Sequence, residues 1–136
     1  MEKKTVKMKV SDIRVAQAGL NEVIREKKLF PAEVNLAIAR NSITLENQMK
    51  CHRESVKTLV ERFALKDEEG NPVVKNNEYK FETKEDEKAF IQEVSELDKV
   101  EMEFEVTKVK YEVLNDGKHD EPTAYDLVAL DFMLED

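Results

Sequence analysis

The chain has 136 residues, of which 40% are hydrophobic and 38% charged, with a net charge of −8. That length suits one domain with a core of its own, so a single domain over residues 1–136 is expected. The lack of any 18-residue apolar run excludes a transmembrane helix, and the lone cysteine, Cys51, excludes an internal disulfide and suits a reducing compartment.

The opening Met1-Glu2-Lys3-Lys4 has no apolar signal-peptide core, so a cytoplasmic protein is expected. Lys4 to Lys9 alternates, with Val6, Met8 and then Val10 on one side and Thr5, Lys7 and Lys9 on the other, which predicts a half-buried strand. Ser11 reads as an N-cap with Asp12 in the first turn. Ile13, Ala16, Leu20, Val23 and Ile24 then form a helical stripe that ends near Lys28. Gly19, inside that helix, would either permit close approach to the next helix or simply be tolerated there.

Pro31 to Leu65 reads as one long helix of roughly 50 Å. Pro31 suits a first helical position, where its missing N–H costs nothing. The positions 38, 42, 45, 49, 52, 56, 59 and 63 keep alternating steps of four and three, the seam of a heptad pattern. Ser42 and His52 interrupt it. The preceding helix, about half as long, should fold back through Leu29-Phe30 as an antiparallel hairpin and cover the first half of the long one. A purely structural homo-oligomer through the seam is a further expectation.

Asp67 to Pro72 ends the long helix with strong breakers. Val73-Val74 and Tyr79-Lys80-Phe81 flank Asn76-Asn77 as a small hairpin. Thr83 with Asp86 makes a variant of the capping box, opening a helix to about Leu97. Its stripe of Phe90, Ile91, Val94 and Leu97 should cover the second half of the long helix, around Met49 to Phe63. In Val100 to Val106 the apolar side carries Val100, Met102, Phe104 and Val106, and the other side Glu101, Glu103 and Glu105. Three like charges on one exposed face need opposing charges. Lys7 and Lys9 offer them at the same spacing, so pairing with the N-terminal strand is predicted. Val109, Tyr111 and Val113 suggest a neighbouring strand ended by Asn115-Asp116-Gly117. Pro122 would open a last helix, with Asp120 or Glu121 near its start. The fold class is therefore α+β: a long helical hairpin, a third helix, a small antiparallel sheet built from the N-terminal strand and strands near 99–114, and a C-terminal helix.

The charge is lopsided. Residues 1–66 carry 14 Lys/Arg against 8 Asp/Glu, and residues 67–136 carry 8 against 22. Two readings follow: the halves neutralise each other within the fold, or an acidic face meets a basic partner or imitates nucleic acid. Direct binding of nucleic acid is not expected, since phosphates need a basic surface and bases need aromatic platforms, and there is no Trp.

No catalytic constellation stands out, and a non-enzymatic protein is expected. Cys51 and His52 are helix neighbours that point about 100° apart, so they do not form a nucleophile–base pair. Asp116, His119 and Asp120 lack the further ligands a metal needs. No metal or cofactor is expected. Arg40 and Asn41 would order a junction between elements or contribute to a binding surface. Glu101, Glu103 and Glu105 are the other candidates for partner contact, if the lysine strand does not neutralise them.

The order of Ser11-Asp12-Ile13, Leu29-Phe30-Pro31-Ala32, Ala37-Ile38-Ala39-Arg40-Asn41, Leu45-Glu46, Glu54 to Leu59, Lys66 to Asn71 and Asp126-Leu127 with Asp131 to Glu135 resembles a family of small uncharacterised phage and prophage proteins from viruses of Gram-positive bacteria. The resemblance spans nearly the whole chain and rests on core and capping residues. The family has no established activity, so it supplies no functional residues. It implies a bacterial cytoplasm, and a protein that modulates or antagonises a host factor through an acidic surface. The alternatives are a tail or capsid assembly chaperone, or a sponge for a small signalling molecule lined by Arg40 and Asn41.

Overall fold

The computed structural model of the chain describes residues 1–135. The fold is α+β, and the chain divides into two compact units: residues 1–49 with 101–136, and residues 50–100.

In the first unit, β1 (Glu2–Lys9) leads directly into α1 (Val10–Glu26). The cap lies at Lys9 rather than Ser11, and the Lys9 N–H donates to the Asp12 carboxylate at 3.3 Å. Val10 therefore belongs to the helix, where it is fully buried and starts the stripe Val10, Ile13, Ala16, Leu20, Val23. Ile24, expected in that stripe, is exposed. Lys27 takes a left-handed φ of 53° and stops the helix.

The next helix, α2, runs over Ala32–Phe63. Pro31 lies one residue before it, and its carbonyl accepts from the Val34 and Asn35 N–H groups. Gln17 bonds Glu46 at 2.6 Å, and Ile24 lines one concavity with Ile38, so α1 and α2 run antiparallel. α1 thus packs along the first part of α2, as the stripe predicts. The seam residues Ile38, Leu45 and Met49 are buried in the chain's own core, joined by Val34, Ala37 and Phe30. At the first interruption the buried residue is Asn41, and Ser42 is only half-buried.

The sheet bears out the charge argument. β1 pairs antiparallel with β4 (Glu101–Lys110), and Lys9 stands opposite Glu101, Lys7 opposite Glu103 and Thr5 opposite Glu105. Val109 continues this strand instead of starting another. Tyr111 and Val113 fall in the single-turn α4 (Tyr111–Leu114), which buries Leu114 and ends the strand. The third strand is instead β5 (Leu134–Glu135), parallel to the end of β4, so the sheet is mixed with the order β1-β4-β5. α5 (Ala124–Leu130) precedes it through a 3-10 turn, Asp131–Met133. Its cap is Thr123 with Asp126, each side chain bonded to the other's N–H, and Pro122 lies outside the helix. Asp120 works elsewhere. Its carboxylate accepts from the Leu29 N–H at 2.6 Å and its own N–H donates to the Leu29 carbonyl, tying the 115–122 turn to the α1–α2 connector.

The second unit holds the rest of α2, the hairpin of β2 (Val74–Lys75) and β3 (Glu78–Tyr79), and α3 (Lys84–Asp98). Asn76 and Asn77, at φ 53° and 63°, make the two-residue left-handed turn the sequence suggested. Thr83 caps α3 by accepting from the Asp86 N–H at 3.1 Å. Phe90 packs on Phe81 and Tyr79, with ring centroids 5.3 and 6.3 Å apart. Val60, in the last turn of α2, and Ala64, just after it, are buried.

Candidate functional site

The sequence candidates fall in different settings. Asn41 is 1% exposed. Its amide accepts from the Thr107 N–H at 2.7 Å and donates to the Thr107 carbonyl at 2.9 Å. It also approaches the Met133 sulfur at 3.4 Å. A primary amide presents the same donor–acceptor pair as a peptide group, so Asn41 acts as a one-residue strand on the open flank of β4. This is the junction role. Arg40, one residue earlier, is exposed. It lines a surface concavity of about 490 Å³ with Lys3, Ile43, Thr44, Glu105 and Thr107. Arg40 and Glu105 are thereby brought together. Glu101 and Glu103 instead face lysines across the β1–β4 ladder, so two of the three strand glutamates have a cation opposite.

The titratable pairs are local. His52 is buried, and its Nε2 lies 3.1 Å from Asp98 Oδ1, which satisfies a polar ring on the packed side of α2. Cys51 is exposed. Asp116 accepts from the N–H groups of Lys118 and His119 and meets the His119 ring at 2.7 Å. Those bonds hold its carboxyl below the usual carboxylate range, the Lys118 N–H contributing most. Asp126 is fully buried and receives the Lys28 ammonium at 2.6 Å. Burial pushes its carboxyl up, but the Lys28 bond and the Thr123 N–H outweigh that and hold it low, and Lys28 is raised in turn by Asp126. Lys4 and Glu135 pair across the sheet, Glu135 lowered and Lys4 raised by their mutual bond. Among the described residues, no three His, Cys, Asp or Glu groups gather as metal ligands, and no helix is long and apolar enough to cross a membrane.

One apolar concavity is a feature the sequence reading missed. It occupies about 510 Å³ between α1 and α5. Its floor is where the two helices nearly touch: a Cβ on Gly19 would lie 3.0 Å from the Ala129 Cβ. Gly19 thus serves close approach to α5, not to α2. Val15 and Val128 form the lips, 74% and 77% exposed, and Tyr125 stands beside them at 52%. Asp12 and Asp131 supply carboxylates, and Met8 and Phe132 close the sheet side. The signal was present in the sequence: Val15 is off the core stripe of α1, and Leu127 and Val128 are adjacent and cannot both face inward on a helix. No family model, no curated protein and no solved structure matches the chain.

Proposed function

We propose that the chain is a non-enzymatic protein-binding protein whose α1–α5 groove takes an amphipathic segment of a partner with a basic surface. The observation that carries this reading is the groove itself. Val15, Tyr125 and Val128, 74%, 52% and 77% exposed, line one concavity with Asp12 and Asp131 beside them. An aliphatic side chain would fill the space over Gly19 and Ala129, and Lys or Arg at its flanks would meet the carboxylates. The acidic contact thus moves from the strand glutamates, two of which already face lysines, to this groove. Following the phage-family resemblance, the setting is a bacterial cytoplasm and the partner a host factor that the protein modulates or antagonises.

The test is a pulldown from phage-infected and uninfected host lysates with the wild type, Val15→Glu/Val128→Glu and Asp12→Lys/Asp131→Lys. Both valines are exposed, so the first pair leaves the core intact. One protein held by the wild type, lost from both variants and largely retained at raised salt supports the reading. Equal retention by all three, or none by any, refutes it. A virion component as that protein would favour the assembly-chaperone version. A second reading has one observation in its favour: Arg40 and Lys3 share the concavity of about 490 Å³, a place for a small anionic molecule. Native mass spectrometry of wild type and Arg40→Ala, incubated with the small-molecule fraction of infected cells, would separate it from the first.

A further inference from the structure

The sheet ends at β1, and the outer flank of this eight-residue strand pairs with no other strand among the described residues. The direction of its peptide groups follows from β4. Thr107 gives both its N–H and its C=O to Asn41, on the flank away from β1. Thr107 stands opposite Lys3, and in an antiparallel ladder such non-bonded partners both point away from each other. By the alternation along a strand, the N–H and C=O groups of Lys3, Thr5 and Lys7 point to the open edge. Lys9 keeps the same parity: its N–H leaves the ladder to reach Asp12.

Two further observations concern the side chains at this edge. Val6 and Met8 face the core side and are only half-buried. Lys3, Lys7 and Lys9 line the opposite face, where Lys7 and Lys9 stand opposite Glu103 and Glu101 of β4, the acidic chemistry that complements them, and Lys3 stands opposite Thr107. We propose that the outer edge of β1 docks an extended acidic segment of a partner protein as an added strand. Its peptide groups would bond those of Lys3, Thr5 and Lys7. Its Glu or Asp side chains, at alternate positions, would meet the lysine row, and its apolar residues would cover Val6 and Met8. The charge selects this occupant over a second copy. A two-fold pairing of β1 with β1 about Thr5 sets Lys3 against Lys7, and like charges opposed across strands repel.

The probe is a labelled peptide with the sequence of residues 101–107, EMEFEVT, titrated with the intact protein by fluorescence anisotropy. The expected result is saturable binding that weakens at least tenfold for KMKFKVT and for EMEFEVT N-methylated at alternate peptide bonds. Amide shift changes should fall on Glu2 to Met8. Thr5→Pro removes one outward N–H while leaving the ladder to β4 whole, so it should lose at least tenfold in affinity. If that variant does not fold, the N-methylated and lysine peptides, titrated against the wild type, decide the matter. Equal binding of all three peptides, shift changes confined to other elements, concentration-dependent dimerisation through this edge, or preference for a single-stranded oligonucleotide over EMEFEVT would each overturn the proposal.

Discussion

Replacing Asn41 by Ala tests whether the core amide is structural. The substitution leaves the Thr107 N–H and C=O without partners in a place where Thr107 is 4% exposed and Asn41 1%. Each buried backbone group left unpaired costs about 1–3 kcal/mol, so the pair costs about 2–6 kcal/mol. That is a large share of the roughly 5–15 kcal/mol by which domains are stable. With a urea dependence of about 1–3 kcal/mol per molar, the unfolding midpoint should fall by about 1–3 M. Asn41→Leu preserves volume but neither bond, and should cost nearly as much. Asn41→Asp keeps the acceptor for the Thr107 N–H but sets a carboxylate against the Thr107 carbonyl, so it should recover stability only as the acid protonates. The assay is urea unfolding followed by circular dichroism, with hydrogen exchange read at the Thr107 amide. A midpoint shift under ~0.3 M for the Ala variant, with that amide still protected, would refute the reasoning.

Gly19→Val pushes a branched side chain into Ala129, whose Cβ would be 3.0 Å from even a first carbon. It should destabilise by about 1–3 kcal/mol by thermal unfolding, and Ala129→Gly should relieve part of that. The Lys28–Asp126 pair gives a pH window. Asp126 is depressed, so its contribution is full above the unfolded value of about 3.9 and is lost as pH falls through the lower folded value. Lys28 is raised, so its contribution is full below about 10.4 and is lost as pH rises through the higher folded value. Asp126→Asn should flatten both limbs of a plot of Tm against pH. Asn77→Gly places the favoured residue at a φ of 63° and should stabilise the second unit by a few tenths to about 1 kcal/mol in a melt read at Tyr79.

Much of the fold was legible because local patterns and long-range needs agreed. The Glu101–Glu105 row demanded cations at a two-residue spacing, Lys7 and Lys9 were the strand that had them, and the register sets them opposite. Thr83 and the Asn76-Asn77 turn carry their conformations in their own side chains. What failed were choices that only tertiary packing makes. Val109, Tyr111 and Val113 alternate like a strand, but Leu114 gains full burial if the chain turns helical after Lys110. A two-residue strand such as Leu134–Glu135 has no periodicity to read. Among the candidate residues, Arg40 and Glu105 come together beside Lys3, and Asn41 turns to the core. The α1–α5 groove needed the Gly19–Ala129 approach, a contact between residues 110 positions apart in sequence.

The contrast between the basic first half and the acidic second half does not survive as a contrast between the compact units. Residues 1–49 with 101–136 carry a net −5, and residues 50–100 a net −3. The two signs meet inside the first unit, where the basic β1 lies on the acidic β4. Exposed pairs of this kind add little stability each, but they fix register, because a one-residue slip would put the lysines on the core side of the sheet. The consequence for recognition is that bulk acidity is a poor guide to where a partner lands. The surface of that unit offers local features instead, among them an apolar groove with two aspartates and an open strand edge with a row of lysines. Salt separates them from non-specific attraction. A groove filled by aliphatic side chains should keep most of its affinity above 1 M salt, where screening acts within about 3 Å. Strand addition on the lysine edge should retain its backbone bonds but lose its preference for acidic over basic peptides. If raised salt abolished both interactions equally, neither the apolar floor of the groove nor the peptide groups of β1 would be the binding determinant.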